Sequence, residues 1–225
     1  MSKAAEAAIS NFVWTEKSHG DEYILNERSY DCLFTEPDSL NPDDRWMDIG
    51  AHVGYFSVRM SQFVHSIIAV EPHPLNLRHL KENIELNSVK NITVVEGAAI
   101  ADASQEVDLG VGRTFTYTHM VRKVRGREHI KVAGINIQEL LDTYRPNKIK
   151  MDCEGMEYSL LSTMSYTGIL EIILEWHFTL IPDSDWTKLI EFLQKLRDEG
   201  FTILRGPRNL HEPTKRWTAI IWAKR

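Results

Sequence analysis

The chain has 225 residues, 43% hydrophobic and 26% charged, enough for one domain with a sizeable core. Its net charge of −6 argues against broad, non-specific nucleic-acid binding. Two cysteines, Cys32 and Cys153, give neither a disulfide framework nor zinc-ligand spacing. No apolar run reaches the ~18 residues of a membrane span and the start lacks the apolar centre of a signal peptide, so a cytoplasmic location is expected.

Residues 1–40 read as an N-terminal extension, with an irregular apolar helix side between Gly20 and Phe34. Phe12, Val13 and Trp14 suit packing on a partner subunit or, equally, on the chain's own domain. The turn Asn41-Pro42-Asp43-Asp44 resets the chain and opens a domain over 41–225. A first strand is expected from Arg45 to Ile49, then a helix with Val53, Phe56, Met60, Phe63 and Val64 at helical spacing. Ser66 to Val70 follows as a second strand, and Pro74 fits the first turn of a helix striped by Leu77, Leu80 and Ile84 and stopping near Asn87. Ile92 to Val95 is a third strand, leading to Gly97-Ala98-Ala99, whose small side chains leave room for a flat ring such as adenine.

Between Glu106 and Ile135 apolar and polar residues alternate at both ends, which predicts a β-hairpin insertion. It is basic: Arg122, Lys123, Arg125, Arg127 and Lys131 face one acid, Glu128, with Arg113 just upstream. That pattern fits a solvated hairpin face or a docking surface for an anionic substrate. Asn136 with Glu139 is a capping-box pattern for a helix through Leu141. Lys148 to Met151 and Glu171 to Leu174 are the fourth and fifth strands, with a short helix from Met156 to Met164 between them. A helix from Trp186 ends at Gly200, and Phe201 to Leu204 and Trp217 to Trp222 are two last strands, the final one antiparallel because only a short loop precedes it.

Strands alternating with helices predict an α/β fold: a doubly wound, mostly parallel seven-stranded sheet. Ligands in such sheets bind beyond the carboxyl ends of the strands, which singles out Asp48, Glu71, Glu96, Asp152, Glu154, Glu175 and His177. The glycine spacing then discriminates between cofactors. A dinucleotide turn starting at Gly50 needs glycine at positions 52 and 55, where His52 and Tyr55 stand, and no Walker lysine follows. Asp48, two residues before Gly50, suits a cofactor that carries an amine and no phosphate, such as S-adenosylmethionine. Glu71, at the end of the second strand, is spaced to accept hydrogen bonds from ribose hydroxyls. Taken alone, the glycine turn fits a ligand-free connection equally well; Glu71 at that distance favours the nucleoside.

Asp48-Ile-Gly-Ala-His-Val-Gly-Tyr-Phe-Ser57, Val70-Glu-Pro-His-Pro74, Lys150-Met-Asp-Cys-Glu-Gly-Met-Glu157 and Ile173-Leu-Glu-Trp-His177 occur in order. Together they resemble the successive motifs of FkbM-type methyltransferases. The resemblance spans about Arg45 to His177 and departs from the family at His52, where asparagine is common. It implies a Rossmann-like methyltransferase fold and S-adenosylmethionine as cofactor, with S-adenosylhomocysteine as product. The activity it implies is methyl transfer to a hydroxyl oxygen. The cofactor set it implies is Asp48, Gly50, Ala51, His52, Gly54, Tyr55, Phe56, Glu71, Pro72, Gly97, Ala98 and Asp152. Asp48, Gly50 and Gly54 would shape the methionine end, with His52 beside it; Glu71 would hold the ribose, and Gly97 and Ala98 would border the adenine. Asp152 and Glu154 would lie near the sulfonium methyl.

A hydroxyl needs its proton removed, and His177 is the first choice of base by chemistry, with Asp152 orienting it, holding the substrate or balancing cofactor charge. Each has a plainer reading. Asp152 and Glu154 would cap the helix near Met156, His177 would be a satisfied turn histidine, and Glu157 would be a first-turn helix charge. Cys153 reads as core, and the spacing of Asp152, His177 and other carboxylates demands no metal. The expected acceptor is a small molecule with a hydroxyl, anionic if the basic insertion docks it, as a sugar or phosphate-bearing glycan precursor would be. A ribose-hydroxyl methyltransferase gripping nucleic acid with the insertion is the first alternative, and a non-catalytic nucleoside-binding module the second. An Asn/Asp-Pro-Pro-aromatic segment, the mark of base-amino methylation, does not follow the fourth strand.

Overall fold

A computed structural model of the chain describes Val13, Trp14, Tyr30, Leu33 and residues 40–111, 128–178, 186–206 and 218–225. The helix expected between Gly20 and Phe34 and the basic tip from Arg113 to Arg127 lie almost wholly outside these residues. In chain order the elements are β1 (Arg45–Ile49), α1 (Tyr55–Met60), β2 (Ser66–Glu71), α2 (Pro74–Leu86), β3 (Ile92–Glu96) and β4 (Ala98–Ile100). They continue with β5 (Gln105–Val111), β6 (Glu128–Asn136), α3 (Ile137–Tyr144), β7 (Lys148–Met151), α4 (Glu157–Thr163) and β8 (Glu171–His177). The last are α5 (Trp186–Asp198), β9 (Thr202–Arg205) and β10 (Thr218–Lys224).

The fold is α/β, as the alternation of elements predicts. Seven strands form the main sheet in the order β3-β2-β1-β7-β8-β10-β9. The pairs from β3 to β8 are parallel, and β10 is antiparallel to both of its neighbours. The chain winds outward from β1 to β3, then crosses back to β7, so the order reverses between β1 and β7. That reversal opens the crevice in which such sheets take ligands.

Central strands here are buried on both faces, and their alternation sorts residues between two cores. Met47, Ile49, Ile149, Met151, Ile172 and Leu174 pack with Leu160, Leu161, Leu189 and Leu193 of α4 and α5. Trp46 and Ile173 join Tyr30, Leu33, Phe56, Met60 and Trp222. Strand β7 reads Lys-Ile-Lys-Met, and both lysines are 4% exposed. An isolated buried ammonium is destabilising by several kcal/mol, so each must be paired. Lys148 Nζ lies 2.7 Å from Asp44 and 2.6 Å from Glu171, and Lys150 Nζ lies 3.1 Å from Asp48 Oδ1.

Four details depart from the sequence expectations or complete them. Helix α1 covers six residues, shorter than the apolar spacing predicts, because the chain enters it from Gly54 at φ 90° and turns off after Met60. Strand β8 runs on to His177, since β10 pairs along its whole length and supplies ladder partners past Leu174. The small-residue stretch contains a strand, β4, parallel to β6 in a separate three-stranded sheet, while β5 and β6 form the expected hairpin. Close packing in that sheet needs small residues: a Cβ on Gly97 would lie 2.8 Å from the Ala133 carbonyl oxygen. Finally, the Asn136 side chain caps α3 by accepting from the backbone N–H groups of Gln138 and Glu139. The box closes through Ser104, whose hydroxyl accepts from the Asn136 N–H and donates to Glu139.

Candidate active site

The turn after β1 is built for close approach. Gly50 has φ 79°, and a Cβ there would fall 1.8 Å from the carbonyl oxygen of Asp152. Only glycine lets the β1 turn touch the loop that leaves β7, and the Asp152 N–H donates to the Ile49 carbonyl across the same gap. Asp48 is fully buried: one oxygen pairs with Lys150, and the other accepts from the Ser57 hydroxyl at 2.6 Å. Lys150 also donates to the Gly50 carbonyl, so this pair braces the turn from beneath.

Glu71 at the end of β2 is 4% exposed. It accepts from the His52 N–H at 2.9 Å, the His73 N–H at 3.0 Å and the Asn76 amide at 3.1 Å. Burial raises its pKa, against the lowering effect of His52 and these hydrogen bonds. The carboxylate thus ties the glycine turn to the start of α2, and the Gly97 N–H donates to the Glu71 carbonyl. Ala51 is buried against Ala69 and Leu80. Phe56 packs edge-on to Tyr30 and Trp46, and Tyr55 lies against Trp14. Trp14 and Val13, which exchanges two hydrogen bonds with Asn87, therefore rest on the chain's own domain. Pro72 is partly exposed beside Glu71, whereas Ala98 is buried among Ile100, Leu109 and Val132 of the small sheet.

The loop from Asp152 to Met156 carries the acids. Glu154 at φ 53° and Gly155 at φ 103° bend it sharply, so that Glu157, the first residue of α4, turns inward. Glu157 is fully buried. It accepts from the Gly155 N–H at 2.9 Å and the Cys153 N–H at 3.3 Å, and His177 Nδ1 lies 2.8 Å away. The other ring nitrogen, Nε2, is 3.1 Å from Glu154 Oε2 and 3.8 Å from Asp152 Oδ1. The Tyr30 hydroxyl donates to the second oxygen of Asp152 at 3.2 Å. Among the described residues, Asp152, Glu175 and His177 can each bring one ligand atom within 4.8 Å of the others, close enough to share an ion. An ion there would compete with Glu154 for His177 Nε2.

One imidazole among so many carboxylates has an altered protonation. Burial opposes its charge, but the hydrogen bond and charge of Glu157, with Asp152 and Glu154, outweigh burial and push His177 up to about 10. Glu154 is pushed up to about 8, first by burial and then by the neighbouring acids, against the pull of His177. Burial and the charge of Glu157 lift the Cys153 thiol well above its usual range, which suits a packing role rather than a nucleophile.

The structure brings Asp48, Gly50, His52, Gly54, Glu71, Gly97 and Asp152 to one end of the sheet, with Glu154 and His177 beside Asp152. Three residues of this arrangement escape sequence reasoning as site members. Tyr30 comes from the N-terminal extension, Lys150 looks like an exposed strand residue, and Glu157 looks like a surface helix charge. The signals for the last two were the invariable need to pair a lysine inside a central strand and the spacing of two acids around Gly155.

In overall shape the chain is similar to precorrin-6y C5,15-methyltransferase of Geobacter metallireducens, with a TM-score of 0.49, 15% identity, and 95% of this chain and 93% of that one covered. It is also similar to the fibrillarin pre-rRNA processing protein of Methanococcus jannaschii, with a TM-score of 0.50, 14% identity, and 82% and 67% of the two chains covered. An rRNA methylase of Streptococcus thermophilus has a TM-score of 0.48 at 9% identity, over 83% of this chain and 89% of that one. At a TM-score of 0.50 and 14% identity, the likeness to the fibrillarin protein is one of fold alone. No curated protein matches the chain in sequence. The Methyltransferase FkbM domain matches residues 48–203, which hold the glycine turn, Glu71, the acidic loop and His177, and the chain belongs to this methyltransferase family.

Proposed function

We propose that this methyltransferase draws its methyl group from S-adenosylmethionine and delivers it to a hydroxyl oxygen of a small molecule, a sugar or phosphate-bearing glycan precursor being the first to try. One juxtaposition carries the reading. The β1 turn and the acidic loop meet at Gly50 and Asp152, at the reversal of strand order, and His177 stands beside that junction. The residues fit the cofactor. Glu71 is a buried carboxylate next to a turn of positive-φ residues, a carboxylate has about four acceptor positions, and three donors engage this one. The ring of acids is suited to a cation and ill suited to a pyrophosphate. When bound, S-adenosylmethionine would supply an electrophilic methyl on a sulfonium.

In this reading the chain's residues divide the work. Gly50, Ala51, His52 and Gly54 form the wall for the methionine end over Asp48, and Tyr55 and Phe56 flank it. Glu71 and Pro72 take the ribose, and Gly97 borders the adenine, with the buried Ala98 behind it in the small sheet. Asp152 and Glu154 offset the cofactor's positive charge and hold the acceptor hydroxyl in line, since alignment supplies much of the acceleration of a displacement. His177 takes the hydroxyl proton on Nε2. With its acids unopposed the ring holds its proton, so a cation bound among those acids is what frees Nε2 to act as a base.

Calorimetry with S-adenosylmethionine, S-adenosylhomocysteine and NAD tests the cofactor. The first two should bind and NAD should not; no binding of either sulfur compound would overturn the reading. Glu71→Ala should weaken both by about tenfold or more, as expected for lost hydrogen bonds to a charged group. Unchanged affinity would remove Glu71 from the ribose site. Methyl-labelled cofactor offered with sugars, glycan phosphates and RNA then tests the acceptor. Label confined to RNA, with steep salt dependence, would replace the small-molecule reading.

A further inference from the structure

We infer that Glu157 is the positioning residue of the site: it holds the His177 ring with the proton on Nδ1, so that Nε2 is the atom presented to the acceptor. The inference rests on the reading of His177 as the base and adds the residue that makes it one. An acid in the first turn of a helix ordinarily faces water and contributes through the helix dipole. Glu157 is instead 0% exposed, and its hydrogen bonds all point inward. Two of them come from the backbone of its own loop, at Cys153 and Gly155, so the carboxylate is anchored independently of the histidine. That anchoring depends on the bend through Glu154 and Gly155, both at positive φ.

An anchored carboxylate 2.8 Å from Nδ1 accepts a hydrogen bond, which makes Nδ1 the donor. In a neutral imidazole the other nitrogen then carries the lone pair, and the partner of one nitrogen decides what the other can do. Here Nε2 faces Glu154 and Asp152 on the β7–α4 loop, with Glu175 two residues back on the same side of β8. The Tyr30 hydroxyl approaches from the N-terminal segment on the far oxygen of Asp152. Glu157 is therefore separated from the reaction space by the ring itself. It acts through His177, as the third member of a nucleophile–base–orienter set does.

Nitrogen-15 NMR of the histidine-labelled wild-type chain, with His177→Gln to assign its signals, tests this directly. The expected result is a ring that stays doubly protonated above neutral pH and, once neutral, keeps its proton on Nδ1. A neutral wild-type ring protonated on Nε2 would overturn the inference, and that reading needs no variant to fold. In Glu157→Gln, whose amide oxygen still accepts from Nδ1–H but carries no charge, the midpoint should fall by at least one pH unit. An unchanged midpoint would make Glu157 merely a loop anchor. On any acceptor found, Glu157→Gln should lower kcat by about tenfold or more with KM little changed, and Glu157→Asp should restore part of it. The NMR result stands or falls without cofactor, so failure of wild-type S-adenosylmethionine binding would remove the functional reading and leave the tautomer result intact.

Discussion

His177 has the side chain most suited to proton transfer near neutral pH, yet its neighbours set its behaviour. Glu157 on one nitrogen, with Glu154 and Asp152 at the other, raises the ring to about 10. In the proposed mechanism its use as a base then depends on the positive charge of the bound cofactor. His177→Ala should lower turnover by about 10²-fold or more, the usual contribution of a positioned base, while S-adenosylmethionine affinity changes little. Single-turnover methyl transfer checks this, and near-normal turnover would exclude His177 as the base. The positions of His177 at the end of β8 and Asp152 just past β7 were legible in the sequence because the strands that carry them are marked by short apolar runs. Glu157 was not, because its inward turn depends on two positive-φ residues, one of them a non-glycine, Glu154.

At the scale of elements, β7 carries the clearest lesson. Its alternation of lysine with Ile149 and Met151 looks like a half-exposed strand, but β1 and β8 enclose it on both edges and both lysines are buried. The register places Lys150 opposite Asp48, and that pair supports the glycine turn through the Gly50 carbonyl. Lys150→Met leaves the Asp48 carboxylate buried without its cation and should destabilise the chain by about 3–5 kcal/mol. Urea unfolding checks it. A loss under about 1 kcal/mol would show that Asp48 is accommodated without the lysine. Periodicity sufficed for β1, β2, α2 and β7. It failed for α1, where Gly54 and the turn after Met60 override the apolar spacing, and for β4, three residues long and paired with residues more than thirty positions later.

Over the whole molecule, the acid cluster couples folding to pH. The folded-state midpoint of His177 lies above its ordinary 6.5, so its contribution to stability is fully present below about 6.5 and is lost as pH rises toward 10. Glu154, raised from 4.5 to about 8, acts in the same direction, because the folded state again binds the proton more tightly. Unfolding free energy should therefore decline with rising pH from about 4.5 to 10, through Glu154 up to about 8 and through His177 from about 6.5 to 10, and the decline toward 10 should be smaller in His177→Gln. Urea titrations at several pH values test this; parallel curves would show that the cluster is not what links folding to protons.

Chain order and local pattern were enough for the α/β class, the glycine turn, the acid at the end of β2 and the polar residues at the ends of β7 and β8. Each is a short-range property: a period of two or 3.6, a turn that needs glycine, or a side chain just past a strand. The folded chain alone decided which of these meet. Gly50 touches Asp152 because β1 and β7 are neighbours across the strand-order reversal, roughly a hundred positions apart in sequence. Tyr30 reaches Asp152 from the N-terminal extension, Lys150 finds Asp48 through strand register, and Glu157 finds His177 through a bent loop. Contacts between distant segments depend on register, burial and loop geometry, and none of these is carried by the residues on either side taken separately.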